Sequence, residues 1–266
     1  MAEEVQQIRW LPSLRTVVRA CLALQIGVAV LIVADDTWHD LTYALGNEIE
    51  TVPTPPVTPG DQTRPFVPVS VPGGVDPATR LGSPVRLPDT LPRRLEFRLD
   101  QTEGFGRVLL LLGEIAEGDG RRFESFLRDI TPAPDHVALH SPGGLVDEAL
   151  RIGRHVRGQG LATLVTADAA CLSACPYILA GGVRRVVSQS GWVGLHQSYF
   201  GQESVLPAVL AVRGLQELQG ETLEYLDDMG IDPLILVHAL KTPPEDVYIL
   251  VGSELTEHAL ATELVD

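Results

Sequence analysis

The chain has 266 residues, 45% of them hydrophobic, which is enough to bury a sizeable core in one or two domains. Its formal net charge of -15 excludes nucleic acid as a natural partner, because phosphate binding needs a basic face. Three cysteines are too few for a disulfide scaffold, and Lys241 is the only lysine.

In chain order, residues 1–16 read as a cytoplasmic N-terminal segment and Val17–Ala34, "VVRACLALQIGVAVLIVA", as a transmembrane anchor or signal segment. Only Arg19 and Gln25 interrupt that apolar run. Arg9, Arg15 and Arg19 precede or enter it while Asp35, Asp36 and Asp40 follow, a bias that keeps the N-terminus inside and sends the rest across the membrane. A cleaved signal peptide, with "IVADD" as a weak cleavage site, and a buried core helix are the alternatives. Cys21 lacks the preceding small-residue run of a lipoprotein signal.

Residues 35–92 read as a flexible linker. Between Val52 and Pro92 lie more than half of the 20 prolines, with no helical or alternating apolar period. Proline lacks an amide donor and fixes its own φ, so an extended, largely unpaired spacer is expected.

Residues 93–266 carry the globular pattern. "RVLLLLGEI" (Arg107–Ile115) is a continuous apolar run of the kind that a strand buried on both faces shows. "GRRFESFLRDI" has helical spacing, "HVALHS" is strand-like, and "GLVDEALRIGRHVRGQG" is an amphipathic helix with a glycine stop. "LATLVT" is a strand, "SACPYILAGG" a helix, and "RRVVS" and "WVGLHQ" two more strands. Beyond Gln202 the pattern turns helical; "VYILV" is a last strand and a terminal helix starts at Ser253. Strands alternating with helices predict parallel crossovers in an α/β domain.

Three polar features fall at strand ends, where α/β proteins place their sites. "HSPGG" (His140–Gly144) opens a helix, and its glycines let backbone amides face a cleft. Ser173 begins the next helix, and His196 closes a later strand. A nucleophilic serine needs a base and an oxyanion site, and all three parts are present in order. Each has a plainer reading: a packing serine, a core histidine and turn glycines. His136 and His140 share a strand face, but no third ligand has suitable spacing, so no metal is expected.

Together "HSPGG", "CLSACPYILAGG", "GWVGLHQS" and "EDVYILVGSELTEHALATELVD" resemble the proteolytic subunit of Clp protease and its membrane-linked relatives in the Clp/crotonase superfamily. The resemblance covers Arg107 to Asp266. It implies a β-β-α superhelix with Ser173 as nucleophile, His196 as general base and Asp246 as third member of the triad. The amides of Gly143 and Ala174 would form the oxyanion hole. It also implies a peptide or protein substrate, no cofactor, and allows a homo-oligomer.

Asp246 also suits an N-cap, and Asp227, Asp228 and Asp232 lie nearby in sequence. The cysteines at 171 and 175 and Pro176 depart from the family's usual nucleophile surroundings, and "ALATELVD" replaces a "GL" terminus. These departures fit a periplasmic, membrane-anchored branch. Outside the cytoplasm Cys171 and Cys175 could pair, provided that a helix starts between them. A serine–lysine dyad would have to use Lys241, which lies after the nucleophile in a connecting segment. A crotonase-like acyl-CoA enzyme would leave Ser173 and His196 idle. The rival of another class is a catalytically silent binding or scaffold module of the cell envelope.

Overall fold

The computed structural model describes residues 13, 15–28, 30, 62–66, 91–102, 104–198 and 208–265. The chain divides into two compact units, Met1–Glu50 and Thr51–Asp266. In the first, helix α1 covers 15–28, with residue 30 again helical. Ser13 caps its start, its Oγ accepting the Thr16 N–H at 3.3 Å. Val17, Val18, Leu22, Leu24 and Ile26 are all exposed on it. Among the described residues no helix is long and apolar enough to cross a membrane. Positions 31–34 of the expected span, and Asp35, Asp36 and Asp40, lie outside the described residues.

The second unit is mixed α/β. Its larger sheet has six strands in the order β10-β7-β5-β4-β3-β2. These are β2 (Glu96–Thr102), β3 (Gly106–Leu112), β4 (His136–His140), β5 (Ala162–Val165), β7 (Arg185–Ser188) and β10 (Glu263–Val265). All neighbours are parallel except the β2–β3 hairpin. The β3 run is continuous in sequence because both of its faces are buried. Leu109 and Leu111 enter the main core, while Val108, Leu110 and Leu112 pack with Ala138, Leu164 and Val186 on the opposite face.

A second sheet, in the order β1-β9-β8-β6, comprises β1 (Thr63–Pro65), β6 (Ala170–Leu172), β8 (Trp192–Leu195) and β9 (Asp246–Ile249). β1 corrects the expected linker. Residues 62–66 fall within 35–92, yet β1 pairs antiparallel with β9, Thr63 opposite Tyr248 and Pro65 opposite Asp246. As the outermost strand it tolerates Pro65, whose missing N–H is needed least at a sheet edge. Most of the remaining linker lies outside the described residues.

Helices α2 (Asp119–Asp129), α3 (Val146–Gly158), α4 (Cys175–Ala180), α5 (Ala208–Asp228), α6 (Leu236–Lys241) and α7 (Gly252–Glu257) complete the unit. α4 is held tightly at its C-terminal end. A Cβ at Gly181 would lie 2.3 Å from the Gly153 carbonyl oxygen, so only glycine lets α4 approach α3 this closely. The Arg157 guanidinium donates to the carbonyls of Ala180, Gly181 and Gly182 at 3.1, 2.9 and 3.1 Å, satisfying the helix end. Tyr225 Oη donates to the Tyr177 carbonyl at 2.6 Å. With its far end clamped, α4 presents its first turn, and Ser173 ahead of it, at a fixed place.

Candidate active site

Strand β6 ends at Leu172 and α4 begins at Cys175, so Ser173 occupies a strand-to-helix turn. Its φ is +59°, a left-handed conformation that costs a non-glycine residue about 1–3 kcal/mol. The surroundings impose that conformation. The Ser173 N–H donates to the Gly194 carbonyl at 2.8 Å, and Leu172 N–H to the Ser141 carbonyl at 3.0 Å. Cys171 and Cys175, both fully buried, are joined by a disulfide that brackets Ser173. Pro176 sits in the first turn of α4, where its missing N–H has no intrahelical acceptor to lose.

The "HSPGG" turn lies against this corner. Gly143 has φ +105°, and a Cβ there would stand 2.4 Å from Ser173 Cβ and 2.9 Å from Ala174 N. Only glycine brings the two backbones together in this way. The carbonyl of Gly143 accepts the Ile115 N–H at 2.7 Å, fixing the peptide plane. Its own N–H donates to the buried Ser141 Oγ at 3.1 Å. Ala174 precedes α4, so its N–H has no intrahelical acceptor. Behind the turn His140 is buried, and its Nδ1 accepts the Ala170 N–H at 3.0 Å. That nitrogen therefore carries no proton. His136, at the other end of β4, meets the Phe105 ring edge-on and Arg184, and no metal-holding group of side chains occurs among the described residues.

His196 follows directly on β8 and is buried. Burial pushes its pKa below the ordinary histidine value, and a hydrogen bond with the Gln197 backbone offsets part of that shift. Its imidazole is therefore neutral at pH 7, the form that accepts a proton. Ser173, Ala174, Gly143 and His196 all line one cleft of about 730 Å3. Phe66, which directly follows β1 in the stretch that the sequence placed in the linker, lines it as well, its ring centroid 4.5 Å from that of His196.

Asp246, expected as the third member of the triad, is not among the residues that line this cleft. Along β9, Val247 and Ile249 enter the cluster of Trp192, Leu172 and Phe66, while Tyr248 packs on the opposite, main core. Alternation puts Asp246 on the Tyr248 face. His196 lies on the other face, against Phe66. Burial and the neighbouring Glu245 push the Asp246 pKa above the ordinary carboxylate value. Asp232, one of the other candidates, caps the turn at Leu234 and pairs with His258 at 2.9 Å.

Phe66 is the site residue that sequence reasoning missed. The one signal for it was a lone aromatic ring in a proline-rich stretch.

The chain matches no known protein-family model, and its sequence matches no curated protein. Among solved structures it is similar to a point mutant of ClpP1 from Listeria monocytogenes, at 14% identity and a TM-score of 0.47, over 60% of this chain and 91% of that one. A likeness this distant assigns no activity.

Proposed function

We propose that this chain is a membrane-anchored, Clp protease-like serine hydrolase, a peptidase, with Ser173 as nucleophile and His196 as general base. The observation that carries the reading is the left-handed Ser173, at a strand-to-helix turn, sharing one cleft with a buried neutral His196 and the Gly143 backbone. Nucleophiles at such turns expose their hydroxyl above a helix N-terminus, and strain of this kind concentrates at functional sites. In the reaction Ser173 Oγ attacks the acyl carbonyl of a peptide while His196 takes the hydroxyl proton. The N–H groups of Gly143 and Ala174 hold the resulting oxyanion. His196 then gives its proton to the leaving amine. A water activated by the same imidazole hydrolyses the acyl-enzyme and restores Ser173. No cofactor takes part, and Asp246 stands outside the residues that line the cleft.

The members of such a unit act together, so losing either costs on the order of 10⁴ in turnover. Peptide hydrolysis by Ser173→Ala and by His196→Ala should fall nearly equally, with the double variant little worse than either. Activity that survives Ser173→Ala would move the nucleophile elsewhere. One observation favours a silent binding module instead: the Gly143 N–H already donates to Ser141 Oγ, so a substrate oxygen has to share or displace that bond.

Arginines ahead of the apolar stretch, and apolar side chains exposed along α1, support anchoring with the second unit in the periplasm. Protease added to intact spheroplasts should then remove that unit and leave a membrane-bound stub; full protection would contradict the orientation.

A further inference from the structure

Resting on the Ser173–His196 reading, we propose that the proline-rich segment, fastened through residues 62–66, contributes Phe66 to the wall of the cleft, and that Phe66 is a positioning residue for His196. The segment is fastened at both ends. Gln62 is buried, and its Nε2 donates to the Ile249 carbonyl at 3.1 Å and to Glu254 Oε2 at 2.6 Å. Its carbonyl accepts the Ile249 N–H at 2.9 Å. Glu254 is itself held by the Tyr248 hydroxyl at 2.6 Å and the Val251 N–H at 3.0 Å. At the other end the Phe66 N–H donates to the Glu245 carbonyl at 2.7 Å, one step beyond the Pro65–Asp246 pair.

Between these anchors β1 continues the small sheet past β9, and the chain direction carries Phe66 toward the end of β8 that releases His196. The Phe66 ring packs on the cluster of Ala170, Leu172, Trp192, Val247 and Ile249. That cluster holds Ala170 and Leu172 of β6, the strand that leads to Ser173. The same ring tilts 41° against the His196 imidazole at 4.5 Å between centroids. One aromatic side chain therefore packs on the cluster that includes residues of the nucleophile's strand and on the ring that would take the proton. His196 lies beyond the last residue of β8, outside the ladder, so a packed neighbour limits the rotation of its side chain. A displacement of about 1 Å between nucleophile and base lowers rates by up to about a hundredfold, so a loosened imidazole has a kinetic signature.

The test uses the full chain with 13C-labelled histidine and a fluorophosphonate probe, comparing wild type with Phe66→Leu and Phe66→Tyr. The His196 resonance, assigned by its loss in His196→Gln, should move in Phe66→Leu and return toward its original place in Phe66→Tyr. The other six of the seven histidines should stay where they are. Labelling of Ser173 should slow about tenfold in Phe66→Leu and recover in Phe66→Tyr. Should Phe66→Leu fail to fold, Gln62→Met loosens the segment at its far end, leaves the ring in place, and should give both changes in smaller measure. An unmoved His196 resonance in the folded variants overturns the proposal, as does a moved resonance with unchanged labelling. If wild-type protein does not label at all, the hydrolase reading fails. The placement of His196 by Phe66 then stands or falls on the resonance alone.

Discussion

Replacing Ser173 with glycine should leave the protein more stable than replacing it with alanine, although both variants lose the hydroxyl. At φ +59° the Cβ of any L-residue meets the clash that makes left-handed backbone cost about 1–2 kcal/mol. Glycine escapes that cost but loses more chain entropy on folding, which returns about 0.4–1 kcal/mol to alanine. The balance favours Ser173→Gly by about 0.5–1 kcal/mol. The Ser173 N–H bond to Gly194 and the Cys171–Cys175 bridge are common to both variants, so they cancel in the comparison. For a folded unit of this size the difference corresponds to about 1–4 °C in Tm. Calorimetric melts of the two full-length variants under non-reducing conditions would measure it. A glycine variant melting several degrees below the alanine variant would refute a left-handed backbone at the nucleophile.

Other outcomes follow from the electrostatics. The acid limb of kcat/KM for peptide hydrolysis should have its midpoint below 6.5, since burial favours neutral His196; a midpoint above 6.5 would contradict that environment. The histidines at 136, 196 and 238 all have pKa values lowered chiefly by burial, so the unfolded chain binds more protons just below pH 6.5. Their contribution to stability is complete above pH 6.5 and is lost as the pH falls through that value toward the folded-state pKa values. Melting temperature should therefore drop between pH 7 and pH 5, and no change or a rise would refute it. Asp246→Asn should alter turnover by no more than about twofold, as expected for a group outside the cleft. A loss on the order of 10⁴ would instead make it a member of an assembled triad.

The sequence carried the interior of the large sheet and little of its margins. The apolar run of β3 is legible because both faces are buried, and the amphipathic period of α3 because one face is. β2 is a largely exposed edge strand, and β6 and β10 have three residues each, too few to show a period. β1 is a strand because β9 offers it a free edge, a partner that no local pattern in a proline-rich stretch reveals. Ser173, His196 and Gly143 were legible because each closes a strand or opens a helix, and such ends converge in space. Asp246, expected just ahead of the last strand, is the first residue of β9 and is not among the residues lining the cleft.

The central claim is that Ser173 is a nucleophile activated by His196, and covalent capture tests it most directly. Folded full-length protein treated with a fluorophosphonate should gain one adduct per chain, located by mass spectrometry on the peptide that contains Ser173. The adduct should disappear in Ser173→Ala and form far more slowly in His196→Ala. An adduct on another residue, or none on correctly folded wild-type protein, would contradict the account.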